Sequence, residues 1–318
     1  MTEFLVAFGG AWLAILKVFV VVFAAGILVR RGVLTDTMVT SLSTATVVLF
    51  LPCLIFSKVV ENFEPRTVEL WWALPIAGLL MPVLGLAPAA IAFARELPEK
   101  RNMLALASMQ NAGYLILPVG LALYPDQFDR FALYCFLFIL GFNALLWSLG
   151  KILITNGDRI GGWRGLITPP LVANLMAVTL ALTNFDRFIP GVVVDAVDLV
   201  GQAAVPVATV VLGAILGGVS FRLRPYLWDA VRVLIIKLGL LPAATILLVH
   251  ATGLGAVDGL LAKFLILEAA AAPASGLVLQ VRTYGGDEQK VGSLMLLCYA
   301  ACMVTMPLWL AIWKIVGG

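Results

Sequence analysis

Ten apolar runs, each about the twenty residues a helix needs to cross hydrocarbon, follow one another along this chain with only short polar breaks between them. Such a chain folds with its helices side by side in a bilayer, where every backbone polar group must be satisfied within the protein. The runs fall near 8–29, 38–58, 70–94, 102–124, 129–154, 166–184, 192–217, 227–250, 260–282 and 291–314. Composition agrees, with 62% of the 318 residues hydrophobic and 12% charged. The net charge of +3 is spread over short loops and forms no patch, so no nucleic acid partner is expected. Met1-Thr2-Glu3-Phe4 has no basic n-region, so the first run reads as a span that stays in the membrane.

The longest polar break, 155–165, divides the spans five and five, giving a first unit 1–154, a short connection and a second unit 166–318. Lys and Arg set the orientation. Thirteen lie on one side: Arg30, Arg31, Arg95, Lys100, Arg101, Lys151, Arg159, Arg164, Arg222, Arg224, Arg232, Arg282 and Lys290. The other side has six, namely Lys58, Arg66, Arg130, Arg187, Lys263 and Lys314, so both termini are expected outside the cytoplasm. Five spans per half make the second half run upside down relative to the first. An offset of 160 supports this inverted repeat, because it pairs Pro82 with Pro242, Tyr124 with Tyr284 and Gly113 with Pro273.

Two of the runs are expected to break. In Gln110-Asn111-Ala112-Gly113-Tyr114-Leu115-Ile116-Leu117-Pro118-Val119-Gly120, Pro118 removes a donor, Gly113 and Gly120 loosen the backbone, and Asn111 brings an amide to membrane depth. The mirrored stretch is Glu268 to Gly276, interrupted at Pro273 and followed by Ser275. Irregular backbone at that depth survives only inside protein or along a wet cavity. Two broken helices meeting near the midplane aim their N-termini, and so partial positive charge, at a common point that suits an anion.

The remaining candidates are polar groups deep in apolar runs. Glu268 is a buried carboxylate, costly and suited to carrying a proton, or else half of a structural ion pair. Lys237, mid-span in the eighth run, needs a partner, either Glu268 or a substrate carboxylate, and Lys17 in the first run snorkels or pairs at a subunit interface. Asp198, Gln202 and Pro206 draw a polar stripe on the seventh span, with Gln202 deep enough to face a cavity or to bond another helix. His250 and Trp71, Trp72, Trp228 and Trp309 read as interfacial. The four cysteines read as reduced packing residues, and no metal or cofactor site is drawn from them.

Phe50-Leu51-Pro52-Cys53-Leu54-Ile55-Phe56, the Asn111-to-Pro118 interruption, Leu123-Tyr124-Pro125-Asp126 and Trp147-Ser148-Leu149-Gly150 carry a resemblance. It continues through Thr168-Pro169-Pro170-Leu171-Val172-Ala173, Ala204-Val205-Pro206, Ala272-Pro273 and Tyr284-Gly285-Gly286-Asp287. In these stretches the chain resembles the auxin efflux carrier family in its short bacterial form, distantly similar to sodium-coupled bile acid transporters. That resemblance implies an all-α membrane protein with ten transmembrane helices as two inverted five-helix repeats. It further implies crossing broken helices in spans four and nine, and a scaffold of spans one, two, six and seven that also supplies a homodimer interface. The expected function is alternating-access transport of a small organic anion such as malonate or malate across the inner membrane, coupled to a proton.

Under this reading Gln110, Asn111, Gly113, Tyr114, Pro118, Gln202, Lys237, Pro273 and Ser275 bind substrate, and Glu268 with Asn111 couples transport to an ion. The alternatives are a sodium symporter, a potential-driven uniporter and a ligand-sensing receptor. An enzyme is not expected, since the chain has one histidine and neither HExxH nor GxSxG with a plausible His partner.

Overall fold

The computed structural model describes residues 2–66, 68, 70–97, 99–155 and 167–317, so the connection expected over 155–165 lies outside the described residues except for Thr155. In chain order the main helices are α1 (Thr2–Arg30), α2 (Asp36–Asn62), α3 (Ala73–Ala92), α4 (Arg101–Ser108), α5 (Ile116–Leu123) and α6 (Pro125–Ile154). They continue as α7 (Pro169–Thr183), α8 (Gly191–Gly217), α9 (Arg224–Ala251), α10 (Gly259–Ala270), α11 (Gly276–Tyr284) and α12 (Glu288–Val316). Seven of these, α1, α2, α3, α6, α8, α9 and α12, are long and apolar enough to cross a membrane. The protein is an all-helical, polytopic membrane protein. Among the described residues the only extended pairing is one isolated antiparallel bridge, between Gln110 and Pro273.

Helix starts follow from local chemistry. Thr168 accepts from the Leu171 N–H at the head of α7, where Pro169 and Pro170 fill positions that need no donor. Asp258 accepts from the N–H groups of Leu260 and Leu261 and so caps α10. Asp287 does the same for α12 through Lys290. Past α7, Asn184 takes the left-handed conformation, φ 59°, that its short amide tolerates.

Small residues let helices approach backbone to backbone, as apolar helices in lipid require. A Cβ on Gly78 of α3 would run into the Phe138 carbonyl of α6, and one on Gly141 of α6 into the Pro75 carbonyl of α3. Gly26 of α1 meets Gly213 and Gly217 of α8 in the same manner, and Gly201 of α8 lies against Leu54 of α2. The core centres on α6 and α10. Every residue from Phe131 to Phe138 is buried, and Phe264 packs edge-on against the rings of Phe131 and Phe138.

Three long helices carry a turn of π-helix: Thr46–Phe50 in α2, Leu146–Gly150 in α6 and Ile235–Leu240 in α9. Such turns free or displace carbonyls and often lie beside functional sites. The Leu238 carbonyl in α9 takes a hydrogen bond of 2.7 Å from the Trp309 indole, so Trp309 is a packed, bonded residue and not the interfacial anchor that the sequence suggests. Trp72 and Trp228 are exposed, as anchors are.

Charge clusters close the two ends of the helix bundle. On the end shared by the α3 C-terminus and the α9 N-terminus, Arg232 reaches Glu96 at 2.5 Å and Asp229 at 2.6 Å, and Lys100 reaches Asp229 at 2.8 Å. At the opposite end Lys58 of α2 sits 3.1 Å from both Asp129 of α6 and Asp198 of α8. Asp198 also accepts from Ser57 and Gln202 at 2.9 Å each. Its position is explained by these partners, beyond the helix N-terminus that the sequence alone offers.

Candidate functional site at the crossing of two broken helices

Between α4 and α5 the chain leaves helical geometry from Met109 to Leu115, and between α10 and α11 from Ala271 to Ser275. The two gaps meet. The Asn111 N–H donates to the Ala272 carbonyl at 2.9 Å and the Ala274 N–H to the Met109 carbonyl at 3.0 Å, which brackets Gln110 and Pro273 as a facing pair. In an antiparallel bridge of this kind the facing residues exchange no bond themselves, so Pro273 loses nothing by lacking an N–H. Each backbone bond contributes about 1 kcal/mol net, and leaving such a buried group without a partner costs about 1–3 kcal/mol.

The crossing is locked by side chains. The Asn111 amide donates to the Tyr299 hydroxyl of α12 at 2.5 Å and to Ser275 Oγ at 3.3 Å, and the Tyr299 hydroxyl donates to the Pro273 carbonyl at 3.1 Å. Cys135 of α6 donates its thiol to the Ala112 carbonyl at 2.9 Å, satisfying another acceptor that the break exposes. The cysteine thus acts as a polar partner as well as packing.

A cavity of about 160 Å³ adjoins the crossing. Gln110, Asn111, Ala112, Gly113, Tyr114 and Leu117 form one wall and Ala274, Ser275 and Gly276 another, so the N-terminal ends of both α5 and α11 border it. Helix N-termini present N–H groups and partial positive charge to whatever sits there. From the crossing the lining continues along Val47, Leu51 and Ile55 of α2 and along Asn143, Leu146 and Trp147 of α6, ending at Thr168 and Pro170 of α7. Two of the π turns, in α2 and α6, therefore supply cavity wall.

Five of the residues singled out from sequence, Gln110, Asn111, Gly113, Tyr114 and Ser275, line this cavity. Both polar atoms of the fully buried Gln110 amide have no hydrogen-bond partner among the described residues. Pro118 and Pro273 do not line it. Pro118 is the third residue of α5, where a missing N–H is harmless, so it starts the second half-helix and does not cause the break. Gln202 is exposed and spends its amide on Asp198, so it does not reach the cavity.

Glu268 and Lys237 stand behind the crossing, both fully buried and neither in the cavity wall. Lys237, in the π turn of α9, donates to the Ala269 carbonyl at 3.3 Å, capping the last turn of α10 where carbonyls lack intrahelical partners and a cation is favoured. It forms no ion pair with Glu268, although the two are near enough to interact electrostatically. Neither Glu268 oxygen has a hydrogen-bond partner among the described residues. Sequence reasoning missed Asn143, Trp147 and Thr168 in the wall and Tyr299 behind it. A lone tyrosine hydroxyl deep in the last apolar run is a signal that could have found Tyr299, since it must have a partner there.

An all-helical membrane protein whose cavity sits where two interrupted helices cross is built as a carrier or channel is built. The family model for membrane transport proteins matches residues 11–160 and again 158–310. The chain therefore belongs to the membrane transport protein family, that of the auxin efflux carriers, and is a membrane transporter. A comparison with curated protein sequences finds no match.

Proposed function

We propose that the protein is a secondary transporter of a small organic anion, a mono- or dicarboxylate of the malonate or malate kind, working by alternating access. The observation that carries this reading is the cavity bordered by the N-terminal ends of α5 and α11 at their crossing. Those ends supply donors for a carboxylate, and among the described residues no cation stands in the wall, which lets an anion bind without being trapped. Ten spans arranged as two inverted five-helix repeats fit this role, with α4–α5 as the fourth span and α10–α11 as the ninth. The two stretches matched by the family model meet at residues 158–160, within the connection between the halves, in support of that arrangement.

The cavity runs from the crossing toward the end of α6 and the start of α7, the face that carries most of the Lys and Arg. With that face cytoplasmic and both termini outside, in a bacterial inner membrane, this is an inward-facing state, closed on the far side by Lys58, Asp129 and Asp198. Glu268, supported by Lys237, is the group proposed to exchange a proton during the cycle. A sodium-coupled cycle is the second reading, favoured by the two unpartnered Glu268 oxygens, which are the donor type a sodium ion takes. The scaffold of α1, α2, α7 and α8 is the proposed homodimer surface.

Uptake of a panel of labelled carboxylates into proteoliposomes tests the assignment. Saturable uptake that is lost in Asn111→Ala, and that a pH gradient but not a sodium gradient drives, is expected. Sodium-driven uptake moves the coupling to the second reading, a response to membrane potential alone makes the protein a uniporter, and binding without flux makes it a receptor. Wild-type uptake by the double variant Asn111→Ala, Glu268→Gln would sink the site.

A further inference from the structure

A groove of about 310 Å³ lies between α1, α8 and α12. Its α1 wall is a single helical face, running at three- and four-residue spacing from Phe19 through Phe23 and Ile27 to Arg30 at the helix end. The α12 wall is Leu296, Tyr299 and Ala300, and α8 closes the remaining side where Gly213 and Gly217 meet Gly26. Arg30 and the first residue of α12 lie at the same end of the bundle. Gly217 accepts from Arg30, and the next residue, Gly218, shares a pocket with Asp36 and Glu288. The groove therefore descends from Arg30 toward the middle of both helices.

Depth and chemistry select what fits. Eleven residues separate Phe19 from Arg30, about 16 Å of helix, and one leaflet of a bilayer holds about 15 Å of hydrocarbon. At the mouth the Arg30 Nε donates to the Gly217 carbonyl at 3.4 Å, and among the described residues the other guanidinium nitrogens have no partner. Their fork matches the oxygens of a phosphate. Below the mouth Tyr299 carries the one other polar side chain in the lining among the described residues, and its hydroxyl is engaged with Asn111 and the Pro273 carbonyl. A small soluble anion on Arg30 would thus leave the groove bare, whereas an acyl chain fills it. Phe23 and Ile27 are each 51% exposed and Ala300 is exposed, so the groove opens sideways to lipid.

We infer that this groove binds an anionic phospholipid of the surrounding bilayer, with its phosphate on Arg30 and one acyl chain lying along α1 as far as Tyr299. The cation stands at the helix end and the apolar wall lies inward of it, the order in which a phospholipid presents its parts. An anionic headgroup is preferred to a choline one, because choline already meets the charge of its own phosphate and Arg31 adds a second positive charge beside the mouth. The chain packs against the ring whose hydroxyl holds the crossing together. The inference does not depend on the substrate or the coupling ion.

Phosphatidylglycerol bearing a photoreactive diazirine on one acyl chain, mixed into phosphatidylcholine vesicles that hold the full chain, tests it. After illumination, peptides covering 19–27 and 296–300 are expected to carry more label than the exposed Leu80–Val83 stretch of α3. A choline version of the probe should label them roughly fivefold less, the preference that one basic residue near an anionic headgroup supplies. Arg30→Gln should bring the two probes level, and Arg30→Lys should keep most of the difference. Ala300→Phe, which fills the groove from an exposed position, should clear the excess from both peptides and leave α3 labelled. Label spread evenly over all exposed apolar faces is ordinary bilayer contact and overturns the proposal, as does a probe preference unchanged in Arg30→Gln. Less label in the groove than on α3 means that another protein surface, such as a second copy of the chain, covers it, and overturns the proposal too. Oleate displacing the probe as well as phosphatidylglycerol does would replace the phospholipid by a fatty acid.

Discussion

The Asn111 amide lies 2.5 Å from the Tyr299 hydroxyl, although 188 residues separate them. One bond thus ties the first interrupted helix to the last helix of the chain, and the same hydroxyl donates to the Pro273 carbonyl in the second interruption. Tyr299→Phe keeps the ring and removes both bonds. The Pro273 carbonyl then loses a buried donor, at a cost of about 1–3 kcal/mol. Uptake is expected to fall more steeply than stability, because Asn111 borders the cavity. Melting of the purified variant and uptake by it, measured side by side, check this, and unchanged uptake would show that the bond only holds the fold.

Gly78 and Gly141 set how closely α3 and α6 approach, each facing a backbone carbonyl of the other helix. A carbonyl cannot swing aside as a side chain can. Gly141→Ala is expected to destabilise by about 1–3 kcal/mol through overpacking. Gly9→Ala on α1, where an added Cβ meets nothing within 4 Å, should be neutral or slightly stabilising. Thermal unfolding in detergent compares them directly.

Glu96 lies in the loop after α3, outside the spans. Its hydrogen bond from Arg232, and then that from Lys100, pull its carboxyl down from the ordinary 4.5 to about 2. A group lowered on folding contributes stability that is whole above pH 4.5 and drains away as the pH falls toward 2. Glu96→Gln should therefore be less stable than wild type at neutral pH, with the gap closing between pH 4.5 and 2. Unfolding followed across that range reads the gap, and a constant difference down to pH 2 would contradict the charge pairing.

Lys58 joins two carboxylates of unlike exposure: the side chain of Asp129 is 54% exposed and that of Asp198 is 16% exposed. Exposed pairs contribute about 0–1 kcal/mol, so Asp129→Asn should barely change stability. Asp198→Asn also weakens the bonds with Ser57 and Gln202 and should cost more. If this trio closes the outer side, Asp129→Asn will raise amide hydrogen exchange around residues 125–135, whereas Glu61→Gln, 3.8 Å from Lys58, will not. Equal exchange in the two variants would remove the closing role.

Periodicity of apolar runs located the helices within a few residues. The second apolar run spans 38–58 and its helix is Asp36–Asn62, and the eighth spans 227–250 against Arg224–Ala251. Both interruptions were visible because amides, glycines and prolines at membrane depth are rare. Their mechanics were less so. Pro118 looks in sequence like one of the residues that break the helix, yet a proline in a first helical turn is tolerated, and the break falls at Met109–Leu115. The π turns left no trace in composition. Nor could the facing of Asn143 and Trp147 be read, since α6 is apolar almost all round and its sequence marks no inner side. Partners such as Asn111 and Tyr299 depend on distant chain segments meeting, which no local pattern encodes.

The bridge at Gln110 and Pro273 bears on how the protein is made. The Asn111 N–H and the Met109 carbonyl find their partners at Ala272 and Ala274, more than 160 residues later in synthesis. Until the ninth apolar segment emerges, the first half carries an open gap of unsatisfied backbone that lipid cannot accept. The first half must therefore wait for the second, shielded by the insertion machinery or by water. Chains truncated before Ala272 are expected to be caught at that stage and cleared as unassembled membrane protein.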